Sequence, residues 1–285
     1  MIEEPYRWVE AIATRRDYIE MQLATGSPVV AVGYAEGILL FTVGQQKLFE
    51  IYDRIALGAI GHPGDIERLR MAAIELASTE GFTRSAAEVS LRRLAYYSLS
   101  PVMKNAFEQI YGAPFLARLL FVEIGATAAD DLFLEVEYDG AIHLRSTNEG
   151  NRPFAVLAAT KKSAERMIEF LRKQFRSGKN LAETLELALD SWLIGQLKAD
   201  DAVPGEDEIR RQRSERLGNG TMSAAVLERN ANTAVRYRAV EASELAPLIA
   251  KENGAFPRFN QGQRDHRVAR PLVDNGVVFD PSPDA

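Results

Sequence analysis

Two polar residues near the start of the chain sit where chemistry could be done. Ser27 follows a glycine and opens an apolar run. Lys47 opens a second one, Lys47-Leu-Phe-Glu-Ile-Tyr-Asp-Arg-Ile-Ala-Leu-Gly-Ala-Ile-Gly61. An ammonium at a strand start is a point-charge partner for a carboxylate, and its bland alternative is a solvated lysine. The bland reading of Ser27 is an ordinary strand-start serine. His62, His143 and His266 are scattered and offer no metal-ligand spacing. His62 reads as a turn residue before a helix. The chain has no cysteine, which removes thiolate catalysis, disulfides and cysteine-ligated metals. Gly218-Asn-Gly220 has no strand before it and no helix after it, so it is not a nucleotide loop. The arginines between 210 and 216 alternate with acids, the pattern of a solvated linker and not of a nucleic-acid patch. No cofactor and no metal are expected.

The bounds agree. With 285 residues the chain suits one large domain or two small ones. It is 46% hydrophobic and 26% charged, so a real core can form. A net charge of −6 argues against a general nucleic-acid binder, whose footprint is usually basic. The first residues, Met1-Ile-Glu-Glu-Pro-Tyr-Arg-Trp8, are acidic and do not read as a signal peptide. No apolar run approaches the roughly 20 residues needed to span a bilayer. The expectation is a soluble, cytoplasmic protein without nucleic-acid or membrane partners.

Residues 5–23 read as a helix with Trp8, Ile12, Ile19 and Leu23 near one face, stopped by Gly26. Strands follow at Val29–Tyr34 and Ile38–Val43 around Ala35-Glu36-Gly37, then two more within 47–61 around Asp53-Arg54. These strands are apolar on both faces, as in a sheet covered on both sides. Asp65–Ser78 carries a helical stripe of Ile66, Leu69, Ala73, Leu76 and Ala77. Ser85-Ala-Ala-Glu88 has the form of a capping box opening a second helix, which Pro101 should interrupt. Phe115–Gly125 reads as a strand. Leu132 to Leu144 reads as a hairpin turning at Asp139-Gly140. Phe154–Ala159 is a short buried strand. Helices follow at about 161–176 and 181–197, the second with a capping box at Asn180-Leu-Ala-Glu183. Strands at Met222–Glu228 and Ala234–Val240 and a short helix at Glu244–Glu252 complete the domain, residues 1–252. Within it, 198–220 reads as a charged loop. Residues 253–285 read as a flexible tail rich in Pro, Asn, Gln and Arg. Paired helices without a repeating β-α-β unit exclude a doubly wound parallel sheet. The fold class is α+β, with two antiparallel sheets flanked by helix pairs.

This order of elements, with Gly26-Ser-Pro-Val-Val-Ala-Val-Gly-Tyr-Ala-Glu-Gly-Ile-Leu-Leu-Phe41 and Lys47–Gly61, resembles proteasome core subunits over roughly residues 5–252. At Phe154-Ala-Val-Leu-Ala-Ala-Thr160 the glycines usual in that family are Ala158 and Ala159. The resemblance implies the four-layer αββα fold of N-terminal-nucleophile hydrolases. It also implies one of two roles. Catalytic β-type subunits use a processed terminal threonine, whose own amine is the base, tuned by a lysine and an acid. Here the matching positions hold Ser27, internal and followed by Pro28, and Val43, which cannot ionise. Only the lysine, Lys47, is kept. A helix before the first strand marks α-type subunits.

The resemblance therefore implies a non-catalytic α-type subunit of a bacterial proteasome, part of a threonine-type endopeptidase complex. Its implied partners are further copies in a seven-membered ring, β-type subunits, the C-termini of a ring ATPase or activator, and unfolded protein substrates. Its implied tasks are assembly, gating of substrate entry and ATPase docking, with Lys47 receiving the C-terminal carboxylate. Glu20 falls near where another basic pocket residue is expected. The alternatives are a self-processing hydrolase with Ser27 as nucleophile and a scaffold unrelated to proteolysis.

Overall fold

The computed structural model describes residues 5–109, 112–146, 153–197, 221–250 and the single positions 205, 209 and 213. Ten strands form two five-stranded antiparallel sheets. One sheet is ordered β10-β9-β2-β1-β8, with β1 Val29–Tyr34, β2 Gly37–Val43, β8 Phe154–Leu157, β9 Met222–Glu228 and β10 Tyr237–Ala239. The other is ordered β3-β4-β5-β6-β7, with β3 Leu48–Tyr52, β4 Ile55–Gly61, β5 Ala117–Glu123, β6 Leu132–Val136 and β7 Ile142–Ser146.

The unbroken apolar strands have a simple cause. Successive side chains of a strand point to opposite faces, and both faces of both sheets are covered. Val29, Ala31, Ile38 and Leu40 of the first sheet meet Ala56, Ile60, Leu120 and Val122 of the second. The alternate residues Val30, Val32, Leu39 and Phe41 pack on α5 (Lys161–Gln174) and α6 (Leu181–Gly195). Ile55, Leu57, Leu119 and Phe121 pack on α2 (Pro63–Thr83), α3 (Leu91–Leu94) and α4 (Ser100–Glu108). Three apolar interfaces thus separate four layers, the αββα sandwich. A one-residue register slip in any inner strand would exchange these two apolar sets, which differ in shape.

α1 (Pro5–Leu23) stands outside this scheme. Ile19 and Leu23 are fully buried in the inter-sheet core, and Ile12 packs against it. Of the four residues expected on its inner face, Trp8 departs, being 43% exposed. A short helix, α7 (Ala242–Ala250), seats Leu245 and Leu248 in the core beside α6.

Local chemistry explains most boundaries. α2 begins earlier than expected because His62 caps it: Nδ1 accepts the Gly64 N–H at 3.2 Å, and Pro63 lacks a donor needing a partner. Gly61 has φ +142, and a Cβ there would stand 2.0 Å from the Leu116 carbonyl oxygen, so only glycine permits the close β4–β5 pairing. The Asn180–Glu183 box forms as expected. The Ser85–Glu88 box does not: Ala86–Glu88 is a single 3-10 turn without a side-chain cap, and helix starts only at Leu91. The Leu91 N–H is taken instead by the buried Glu123 carboxylate, 3.0 Å away on β5. Pro101 does not break the helix: helical structure runs on from α3 through a π turn over Ala95–Leu99 into α4, whose first turn holds Pro101.

The 198–220 segment is also not wholly a solvated loop. Ile209 is buried against the α6 core, and Arg213, four residues on, is buried with its Nε and Nη2 on Asp190 Oδ1 of α6 at 3.0 and 2.7 Å. Both are helical, so i and i+4 present one face to α6. The charge density hid a two-residue anchor. His266, Gly218–Gly220 and residues 253–285 lie outside the described residues.

Candidate functional site

Four chain segments converge where β1 begins. The Ser27 hydroxyl donates to the Val43 carbonyl at the end of β2 (2.6 Å) and accepts from the Trp192 indole N–H of α6 (3.0 Å). One residue on, the buried Thr42 hydroxyl donates to the Pro28 carbonyl at 2.7 Å. Lys47, just before β3, donates from Nζ to the Ser27 carbonyl at 3.4 Å. The sequence readings at Ser27, Val43 and Lys47 therefore fall in one place.

Ser27 lies inside the chain. Its backbone continues through Gly26, whose N–H bonds the Leu23 carbonyl, into α1. Its hydroxyl proton is committed to a carbonyl and its lone pair to an indole. Val43 is buried and apolar. Both hydroxyls here serve as brackets that hold the β1–β2 pair at its open end.

Lys47 is only partly solvated. It is half-buried, and no carboxylate lies within ion-pair distance of it among the described residues. Burial lowers its pKa from 10.5, with no charge contributing. The residues just before it, Gly44, Gln45 and Gln46, are exposed and leave it reachable.

Glu20 does not join Lys47. It accepts from Arg118 Nη2 at 2.6 Å and from the Tyr138 hydroxyl at 2.9 Å. Arg118 is itself buried, donates Nε to Glu137 at 2.7 Å, and reaches the Ala158 and Ala159 carbonyls. This knot ties α1 to the second sheet. Its glutamates hold the guanidinium charged against the cost of burial, and desolvation with the Glu20 hydrogen bond raises the Tyr138 phenol well above its usual range. Arg15 adds a second tie by donating to the Phe107 carbonyl in the last turn of α4 and to the Gln109 and Gly112 carbonyls past it. The opposite side of α1 is left bare, with Tyr18 and Met21 exposed at 47% and 64%.

Trp192, Arg118 and Arg15 escape sequence reading. Trp192 sits in an apolar helix and looks like core. The only hint is that a buried indole N–H needs a partner. Among the described residues no group of His, Asp and Glu could hold a metal, and no helix is long and apolar enough to cross a membrane.

Two sheets face to face, helix pairs outside and a lysine at the start of β3 define the class: the fold is that of N-terminal-nucleophile hydrolases and proteasome subunits. Comparison narrows this. The chain is 28% identical over 251 residues to the proteasome subunit alpha of a Parafrankia species, covering 84% of this chain and 92% of that one. It is 27% identical over 253 residues to that of a Nocardioides species, 85% and 86% covered, and 28% identical over 247 residues to that of Kineococcus radiotolerans, 83% and 92% covered. No family model matches. These relatives support an α-type proteasome subunit of bacterial type, as the sequence resemblance implies.

Proposed function

We propose that this chain is a non-catalytic α-ring subunit of a proteasome core: it assembles with its own copies, caps a ring of β-type subunits, gates substrate entry and receives the C-terminal carboxylate of a ring ATPase at Lys47. The observation that carries the reading is the state of the Ser27–Lys47 pair. The hydroxyl is internal and spent on Val43 and Trp192, while the lysine is half-buried with no carboxylate within ion-pair distance among the described residues. A nucleophile centre needs the reverse, a free hydroxyl beside an amine base. The bare face of α1 supports ring contacts. The proposed domain runs over residues 1–252, in the cytoplasm.

The purified chain alone is expected to turn over no fluorogenic peptide. Co-expression with a β-type partner should give activity that survives Ser27→Ala here and vanishes when the partner's terminal threonine is replaced. Activity of the isolated chain that Ser27→Ala removes would overturn the proposal.

Lys47→Met is expected to abolish ATPase docking without lowering stability. Truncating one partner of a desolvated charge pair costs about 2–5 kcal/mol of binding. Stability moves the other way. Because the folded pKa is depressed below 10.5, the unfolded chain holds more protons between the folded value and 10.5. Wild-type stability therefore rises with pH across that window, and the charged lysine is a folding burden below it. Melting at neutral pH should leave Lys47→Met as stable as wild type or more so. Binding of a peptide matching the ATPase C-terminus should fall by at least about thirtyfold. Unchanged peptide affinity would return Lys47 to a lysine without a ligand.

A further inference from the structure

We propose that the exposed face of α5, with the turn that follows it, is a docking surface for an acidic polypeptide segment, a short run of Asp and Glu on a protein partner. Residues 161–179 hold seven lysines and arginines against two glutamates, a net charge of +5 in a chain whose total is −6. The excess positive charge sits on one element while the rest of the chain is strongly acidic. Helix stability does not account for it. The macrodipole favours acids in the first turn of a helix and bases in the last. α5 has no acid in its first turn, where Lys161 and Lys162 stand directly after the Thr160 cap. Arg172 and Lys173 suit the last turn, but of these two only Lys173 has a carboxylate within ion-pair distance among the described residues, Glu169 at 2.7 Å. Arg176 spends Nη1 on the Lys173 and Phe175 carbonyls. Lys161, Arg172 and Lys179 have no carboxylate in reach among the described residues.

The charges share one side of the helix. Lys161, Glu165, Ile168 and Arg172 keep the spacing of a single helical row, and Lys162, Arg166, Glu169 and Lys173 form the next row round. Met167 and Leu171 hold the opposite side in the core. The face is about 20 Å long, which an extended strand of about six residues covers. Two features select a short acidic peptide over a phosphate polymer or an anionic membrane. Glu165 and Glu169 interrupt the basic rows, so a uniformly anionic backbone or surface would meet carboxylates along its length, whereas a peptide can set its own side chains between them. The acidic remainder of the molecule repels a long polyanion that runs past the patch and leaves a short segment unopposed. The surface is independent of docking at Lys47.

The test uses the full chain and the fluorescence anisotropy of labelled heptaglutamate and of a short oligothymidylate of the same charge, with co-sedimentation on phosphatidylglycerol vesicles. Heptaglutamate is expected to bind, and Lys161→Glu with Arg172→Glu to weaken it at least about fivefold at low salt. Glu165→Gln, which removes an acid from the same row, should tighten binding, and Lys47→Met should not change it. The loss in the double variant should shrink at about 1 M salt, where charges a few ångströms apart are screened. The two reversals act oppositely on the macrodipole, so the double variant should melt close to wild type. If it does not fold, Lys161→Gln with Arg172→Gln reads the same loss at smaller size. No binding of heptaglutamate, or equal affinity in the variant pair, would overturn the site. Binding lost in Lys47→Met but kept in the pair would place the anion at Lys47 and also overturn it. Oligothymidylate or vesicles held more tightly than heptaglutamate, with the same loss in the pair, would overturn the partner class.

Discussion

Deleting residues 1–24 is expected to unfold the chain, and not to release a folded protomer unable to form rings. A helix of this length is marginal by itself in water, and its apolar stripe at first suggests a surface awaiting a neighbour. Its inner residues have their partners already. Ile19 and Leu23 are fully buried in the inter-sheet core. Emptying either site costs about 2–5 kcal/mol. Removing Glu20 takes one of two carboxylates from the buried Arg118, which keeps Glu137, so this adds a smaller loss than breaking a fully buried pair. Losing Arg15 frees three carbonyls in and beyond the last turn of α4. The total rivals the whole stability of an ordinary domain, about 5–15 kcal/mol. The truncated chain should lose its cooperative melt and aggregate. A sharp melt near the wild-type temperature would show that α1 is an accessory.

Assembly is therefore tested on the other side of the helix. Tyr18→Glu with Met21→Glu changes only exposed residues, so the melt should stay within about 0.5 kcal/mol of wild type for each change. Mass by light scattering should fall from ring to protomer. A ring of unchanged mass would move the contact elsewhere.

What the sequence discloses here divides along physical lines. The layers are legible because period-two burial on both faces leaves strands such as Gly37–Val43 apolar throughout, and the paired helices supply the outer covers. The Lys47 position is legible for the same local reason, a lone cation at a strand start. Misreadings arise where a residue's partner is far away in the chain. Ser85 and Glu88 have the right spacing for a box, yet the amide that begins the next helix is satisfied by Glu123 of β5, thirty-two residues downstream. Glu20 is taken up by Arg118, ninety-eight residues away, and so never reaches Lys47. Ile209 and Arg213 are concealed by the charges around them, since two residues per helical turn suffice to anchor a segment. Trp192 completes the site across 165 residues, and no spacing rule spans that distance.

The second large effect is expected at the far end of the sandwich from Lys47. Asp131 is 2% exposed and takes Arg229 in a two-pronged pair, Nη1 to Oδ1 at 3.0 Å and Nη2 to Oδ2 at 2.8 Å, while also accepting the Gly125 N–H at 2.9 Å. Arg229 in turn donates to the Gly125 carbonyl at 2.6 Å, and its backbone N–H reaches the Glu36 carbonyl at 2.8 Å. The end of β9, the β1–β2 turn and the β5–β6 connection are bolted together, which joins one sheet to the other. Asp131→Ala leaves a partly buried guanidinium without its anion and an amide without its acceptor, which should cost about 3 kcal/mol, the low end for breaking a buried pair. Asp131→Asn keeps the shape and one oxygen, so its loss should be clearly smaller. As a control, Lys173→Ala breaks an exposed pair with Glu169 and should leave stability unchanged within error. Urea titrations of the three variants read the ordering directly. The bolt lies at the opposite end of the β1–β2 hairpin from Ser27, so folded Asp131→Asn protein should still bind the ATPase peptide with wild-type affinity. An Asp131→Ala midpoint matching the Lys173→Ala control would mean that the sheets are held by their apolar interface alone and that the ion pair is dispensable.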